Sequence, residues 1–266
     1  MDVTSRHNPL VRRIKRMQDK RRVRRKEKAF FVEGAQFVSL AAGCGARIET
    51  VVFSEPLLAG SAGLGVVADL RAKGVRCVSV SEEVFQAVSQ RNNPDGLGAV
   101  VETRWEDLDS LAAGPDDVFV ALVGISDPGN LGTVLRTIDA VGGAGCILVA
   151  RCTDPFHPRT VRASKGALFT VPIARAADVE TLLDWARRRG VHTVATSARG
   201  GEPYREAGCE LPAAIVLGSE HEGLAQTTIE AADRLVTIPM RGSMSSLNVA
   251  VAASLLLYEL KGPSSR

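Results

Sequence analysis

The chain has 266 residues, 45% of them hydrophobic, with 33 Lys and Arg against 30 Asp and Glu. That length supports one large domain or two modest ones with full cores, and no apolar run reaches the ~18 residues of a membrane span. Five scattered cysteines without a C-x-x-C pair, four dispersed histidines and a basic start without an apolar signal core argue against a disulfide framework, a zinc site and secretion; they predict a cytoplasmic protein that binds neither metal nor membrane.

The net charge of +3 conceals an asymmetry. Residues 6–28 hold twelve Lys and Arg and two acids, a balance of +10, whereas the remainder stands at −7. A basic segment on a mildly acidic body suits a polyanion-binding arm. Thr4–Pro9 reads as a helix start, with Pro9 where a missing N–H costs little. Leu10, Val11, Ile14 and Met17 then form a narrow apolar stripe among basic residues, and a denser run follows from Lys20 to Lys28. Arg6, Arg12, Arg13, Arg16, Arg21, Arg22, Arg24 and Arg25 are candidates to neutralise phosphates, which gives affinity without sequence choice. A solvated helix face is the ordinary alternative for such a run.

Residues 29–34 read as a buried strand, 35–42 as a helix, 48–53 as a strand, 64–73 as a helix, 75–80 as a strand, 82–89 as a helix and 97–101 as a strand, which makes a compact α/β unit. The G-x-G pattern at Gly63 and Gly65 lacks a strand leading into it and is no dinucleotide fingerprint. The acidic, Gly-Pro-bearing stretch 105–116 is placed as a linker between domains 1–104 and 117–266.

The second unit opens on the strand 118–123, which runs into Asp127-Pro128-Gly129-Asn130, a turn sequence at a strand end, and then a helix carrying Arg136. Turn-making accounts for Asp127 and Asn130, and a surface ion pair for Arg136, equally well on this stretch alone. Strands at 146–150 and 191–196 and helices at 160–168, with Arg162 and Lys165, and at 178–189 follow. Strand 213–217 leads into Gly218-Ser219-Glu220-His221-Glu222-Gly223-Leu224, with a helix at about 227–232. An extended piece, 236–240, then enters a small polar loop and an apolar helix from about Leu247, with Ser245, Ser246 and Asn248 as cap oxygens. That helix is apolar nearly all round and so belongs in a core or against a partner subunit.

Taken together, Asp127-Pro128-Gly129-Asn130-Leu131-Gly132…Arg136, Leu217-Gly218-Ser219-Glu220…Gly223-Leu224 and Ile238-Pro239-Met240…Ser245-Ser246-Leu247-Asn248-Val249 closely resemble the three motifs of the SpoU/TrmH family of RNA 2′-O-ribose methyltransferases, in the SPOUT class. Residues 162–167 look like the segment between that family's first two motifs, and residues 4–9 and 30–34 are similar to the start of its N-terminal substrate-binding domain. The resemblance implies an α/β fold, with a C-terminal domain knotted as a deep trefoil and a smaller N-terminal α/β RNA-binding domain. It implies S-adenosylmethionine held near Gly218, Ile238, Met240 and Leu247, with Leu217 and Thr196 beside them, and a homodimer formed through the C-terminal domain. Asn130, Arg136, Glu220, Ser246 and Asn248 would form the catalytic pocket, and Arg162 and Lys165 would add RNA contacts. Guanidinium groups, with a pKa above ~12, rarely give up a proton. Arg136 is therefore expected to hold the phosphate and stabilise the developing alkoxide, with the proton leaving to a phosphate oxygen, water or Glu220. The two-domain form points to 23S ribosomal RNA, in some members as protection against a ribosome-targeting antibiotic; transfer RNA, a non-catalytic ribosome-assembly role and a Rossmann oxidoreductase are the competing readings.

Overall fold

The computed structural model describes residues 3–59 and 61–261, which form two compact units. One runs to Thr103 and includes Phe156–Val161; the other holds Arg104–Pro155 and Arg162 onward.

The first unit contains α1 (Pro9–Asp19), α2 (Arg21–Glu27), β1 (Ala29–Glu33), α3 (Ala35–Gly43), β2 (Ile48–Phe53), α4 (Glu55–Leu58), α5 (Gly63–Ala72), β3 (Arg76–Ser79), α6 (Glu82–Val88) and β4 (Leu97–Glu102). Its sheet has the order β1-β4-β2-β3, antiparallel except for the β2–β3 pair. Asn8 caps α1, its side chain accepting from the Leu10 N–H at 2.9 Å, and Pro9 follows at the first helical position. Val11, Ile14 and Met17 enter the core beside Phe31, Val52 and Phe85. The basic run is two helices, not one, because Lys20 is extended (φ −122°, ψ 109°).

The second unit contains β5 (Val118–Val123), α7 (Pro128–Val141), β6 (Gly145–Val149), the last three residues of α8 (Pro158–Ser164), whose first four belong to the first unit, β7 (Ile173–Ala176), α9 (Val179–Arg189), β8 (His192–Thr196), β9 (Glu202–Pro203), β10 (Ala213–Leu217), α10 (Gln226–Ala231), β11 (Arg234–Thr237) and α11 (Val249–Lys261). Its seven strands run parallel in the order β7-β6-β5-β10-β8-β11-β9. The inner strands β5, β6 and β10 are almost wholly buried, as expected of a sheet covered on both faces. The stretch 105–116 is docked on this unit rather than loose. Leu108 and Leu111 are buried in its core, and the Glu106 N–H donates to the Ile173 carbonyl at 2.9 Å.

Besides the short α4 and β9, which the sequence reading did not contain, three segments differ from it. Strand β7 was not anticipated; it is four residues long and carries Arg175. The helix expected over 160–168 stops at Ser164, because Lys165 (φ 54°) and Gly166 (φ 107°) turn left-handed. The last helix starts at Val249 rather than Leu247, because Asn248 is its cap, accepting from the Ala250 N–H at 2.9 Å.

Candidate active site

The carboxyl ends of β8, β10 and β11 lie side by side, where parallel sheets bind their ligands. The loops leaving them enclose a cavity of about 490 Å³. All six residues assigned from sequence to the cofactor line it: Thr196 at the end of β8, Leu217 and Gly218 at the end of β10, and Ile238, Met240 and Leu247 between β11 and α11. Glu220 and Ser246 line it too.

The loop after β10 is folded on itself. Its Gly223 N–H donates to the Ser219 carbonyl at 2.9 Å and its Glu222 N–H to Ser219 Oγ at 3.2 Å. Gly223 has φ +71°, which favours glycine. Position 218 tolerates no side chain: a Cβ there would sit 2.1 Å from the Gly223 carbonyl carbon.

Asn130 and Asn248 do not line the cavity; they brace its wall. The Asn248 amide donates to Asn130 Oδ1 at 3.0 Å, and the Asn130 amide donates to Glu220 Oε1 at 2.8 Å. Asn130 is itself set by the first turn of α7, where its N–H donates to the capping Asp127 carboxylate at 2.9 Å. One directed chain of hydrogen bonds therefore joins all three motif loops and fixes both amide orientations. It ends at Glu220 Oε2, which is buried and has no partner among the described residues. A buried acceptor left open costs free energy unless a ligand donor completes it.

Arg136 stands apart. It lies six residues beyond Asn130, about 9 Å along the axis of α7 and some 120° round it, exposed and outside the cavity lining. No side chain among the described residues bonds to its guanidinium. The loop Ser197–Arg199, which also lines the cavity, was missed in the sequence. The signal for it was present, since residues just past a parallel strand's carboxyl end belong to the ligand edge.

In the first unit, Arg6, Arg12, Arg16, Arg21, Arg22 and Arg25 are exposed. Two assignments need correction. Arg24 is only 2% exposed and donates to the Met17 and Gln18 carbonyls, closing the C-terminal turn of α1. Arg13 is clamped by Glu27 and Glu49, which raises its own pKa and, chiefly through that hydrogen bond, holds the Glu49 carboxyl below the usual range. Both arginines are occupied inside the fold rather than presented to phosphate. In the second unit Arg162 and Lys165 are exposed, and neither lines the cavity. Replacing Arg12, Arg16, Arg22 and Arg25 by glutamine is expected to reduce the slope of log affinity for single-stranded RNA against log salt by up to about 3, at ~0.7 per phosphate contact. Filter binding across a salt series reads this. Arg13→Gln and Arg24→Gln should instead lower thermal stability and spare the slope.

A parallel α/β domain with a ligand cavity at its strand ends, preceded in the chain by a small basic α/β unit, defines a two-part enzyme that handles a polyanion. Residues 117–258 match the SpoU rRNA Methylase family, and residues 8–99 match the MRM3-like substrate binding domain. The chain is 29% identical to the 23S rRNA (guanosine(2553)-2'-O)-methyltransferase RlmP of Bacillus subtilis, over 98% of this chain and 99% of that one. It is 31% identical to the 23S rRNA (uridine(2479)-2'-O)-methyltransferase of Streptomyces viridochromogenes, over 86% and 81%. Among solved structures, an AdoMet-bound rRNA methyltransferase from Sinorhizobium meliloti superposes with a TM-score of 0.89 at 35% identity, covering 98% of this chain and 97% of that one. The chain belongs to the SpoU rRNA methylase family and is a methyltransferase.

Proposed function

We propose that this chain, by family an S-adenosylmethionine-dependent RNA 2′-O-methyltransferase, places its methyl group on 23S ribosomal RNA. The observation that carries the site's role is the unpartnered Glu220 Oε2 at the end of the Asn248–Asn130–Glu220 chain. The cavity suits the cofactor: its volume falls within the ~300–1,000 Å³ usual for small-molecule sites, and its wall combines apolar Leu217, Ile238 and Leu247 with the polar Glu220 and Ser246. When bound, S-adenosylmethionine supplies an electrophilic sulfonium methyl, so the protein has mainly to position the acceptor.

The chain's own groups divide that work. Asn130 and Asn248 hold Glu220 in one orientation. Glu220 Oε2 accepts the proton that the ribose hydroxyl gives up as its oxygen is methylated. Arg136 holds the adjoining phosphate and offsets charge developing on the ribose oxygen. The exposed arginines of α1 and α2 hold flanking RNA by its phosphates.

Two further assignments belong to the same reading. We place the substrate-binding domain at 1–104 and the methyltransferase domain at 117–266, joined by 105–116. The trefoil knot is supported by the return of α11 from the β11 side of the sheet to pack against α7, β5 and β10. A homodimer through α11 is supported by Val251, Leu255 and Tyr258, which form one apolar stripe left 47%, 36% and 54% exposed. Leu255→Glu is expected to yield monomers by light scattering; an unchanged mass would move the interface elsewhere. A ribosomal RNA substrate also implies a cytoplasmic location.

The full-length relatives that carry 23S rRNA activities in their names favour that substrate over transfer RNA. The test is a map of 2′-O-methyl groups in ribosomal and transfer RNA from cells with and without the gene. Loss of one 23S site supports the assignment. Loss only in transfer RNA, or no loss at all, refutes it. Antibiotic protection is read in the same strains, as a change in sensitivity to ribosome-targeting drugs.

A further inference from the structure

The charged side chains of the cavity do not belong to one sign. Glu220 and Glu222 come from the loop after β10, and a single arginine, Arg199, comes from the loop after β8. Arg199 is exposed and lines the cavity, and no side chain among the described residues bonds to its guanidinium. Elsewhere in this unit arginines are often occupied: Arg187 by Asp184, Arg188 by Asp109, Arg205 by Glu259 and Arg234 by Glu202. Glu220 and Glu222 share the cavity with Arg199, yet neither forms an ion pair with it.

The loop that carries Arg199 is pinned. The Ser197 N–H donates to the Val236 carbonyl at 3.0 Å, and Thr196 Oγ1 donates to the Val216 carbonyl at 3.1 Å, tying the base of the loop to β11 and β10. The Arg199 N–H donates to Ser197 Oγ at 3.0 Å, while that hydroxyl donates to the Arg199 carbonyl at 2.7 Å. Gly201, at φ +94°, lies so close to Leu235 that a Cβ would meet its carbonyl oxygen at 2.9 Å. The backbone at Arg199 is thus held in place beside the cavity with its charge uncommitted.

The proposed cofactor carries three charges: a sulfonium, an α-ammonium and one carboxylate. Two acids and one arginine are the complementary set. We infer that Arg199 binds the carboxylate of the cofactor's amino-acid end, the one anionic group that the cofactor carries. A guanidinium presents paired donors that match a carboxylate, which makes it the natural choice for this end of the ligand. This assignment rests on the S-adenosylmethionine reading above. It gives the site a preference it would otherwise lack: ligands keeping the carboxylate are retained, and those without it are held only by the rest of the pocket.

The experiment is titration calorimetry with S-adenosylmethionine and with decarboxylated S-adenosylmethionine, which keeps the sulfonium and the ammonium and lacks only the carboxylate. Wild type should bind the first about tenfold more tightly than the second, the worth of one charge-assisted pair near a surface. Arg199→Ala should lose that preference, weakening S-adenosylmethionine about tenfold while leaving the decarboxylated ligand within about twofold. Arg199→Lys should recover part of it. Equal losses for both ligands would assign Arg199 to the pocket's shape and overturn the inference. Unchanged S-adenosylmethionine binding with weakened RNA binding would also overturn it, assigning Arg199 to a phosphate. A wild-type protein that binds neither ligand refutes the cofactor reading itself, a result distinguishable from any of these.

Discussion

Gly218→Ala is expected to weaken S-adenosylmethionine binding at least tenfold while the protein remains folded. The added methyl would stand 2.1 Å from the Gly223 carbonyl carbon, 2.2 Å from its oxygen and 2.4 Å from the Leu224 nitrogen. All three are backbone atoms, so no rotamer change relieves the contact. The loop that closes on itself through Ser219 and Gly223 has to open, and it forms one wall of the cavity. Overpacking of this kind typically costs about 1–3 kcal/mol, or several degrees in Tm for a domain of this size. Gly142→Ala supplies the control. Gly142 ends α7 at φ +66°, and a methyl added there would meet nothing within 4 Å, so alanine at this position carries only the left-handed penalty of about 1–2 kcal/mol. Calorimetry should show cofactor affinity falling in the first variant and unchanged in the second, with thermal shifts of comparable size. Equal affinities in both would mean that the loop after β10 is not the cofactor's seat.

The chain announces some of this architecture more clearly than the rest. Strands 118–123 and 213–217 were readable to the residue because both faces of a parallel sheet are buried, which leaves an uninterrupted apolar run bounded by polar turns. The three loops at the site were readable because turn chemistry at a strand's end has a local signature. What stayed hidden depends on distant partners. Nothing in the run from Lys20 to Lys28 distinguishes Arg24 from its neighbours; it is buried because the end of α1 folds back and offers its carbonyls. Arg13 was indistinguishable from Arg12 until Glu49, 36 residues on, came beside it. Strand β7 is short and exposes Arg175 midway, so no periodicity marks it. The stretch 105–116 looks polar by composition, but its two leucines are buried in the core on which it docks. Arg199 escaped notice because its meaning lies in the cavity it borders.

Arg136→Lys is expected to reduce the rate of methyl transfer on the order of a hundredfold and to leave S-adenosylmethionine affinity unchanged. The second half follows from position: Arg136 projects from the exposed side of α7 and takes no part in lining the cavity. The first half follows from chemistry. Lysine retains the charge but replaces a planar fork of donors with a point charge, and so cannot grip a phosphate and face a developing alkoxide in one fixed geometry. Losing one preorganised donor to a developing oxyanion typically costs about 10²- to 10³-fold in rate. Glu220→Gln provides the contrast. It keeps the hydrogen bond with Asn130 possible but removes the proton acceptor, so its rate loss should come with little change in RNA affinity. Single-turnover assays at saturating RNA, with cofactor affinity measured separately, divide the outcomes. A lysine variant that methylates at close to the normal rate would show that the cationic charge suffices and that paired recognition by Arg136 is wrong. A lysine variant that loses cofactor affinity along with rate would place the guanidinium inside the cofactor site, contrary to its exposed place on α7.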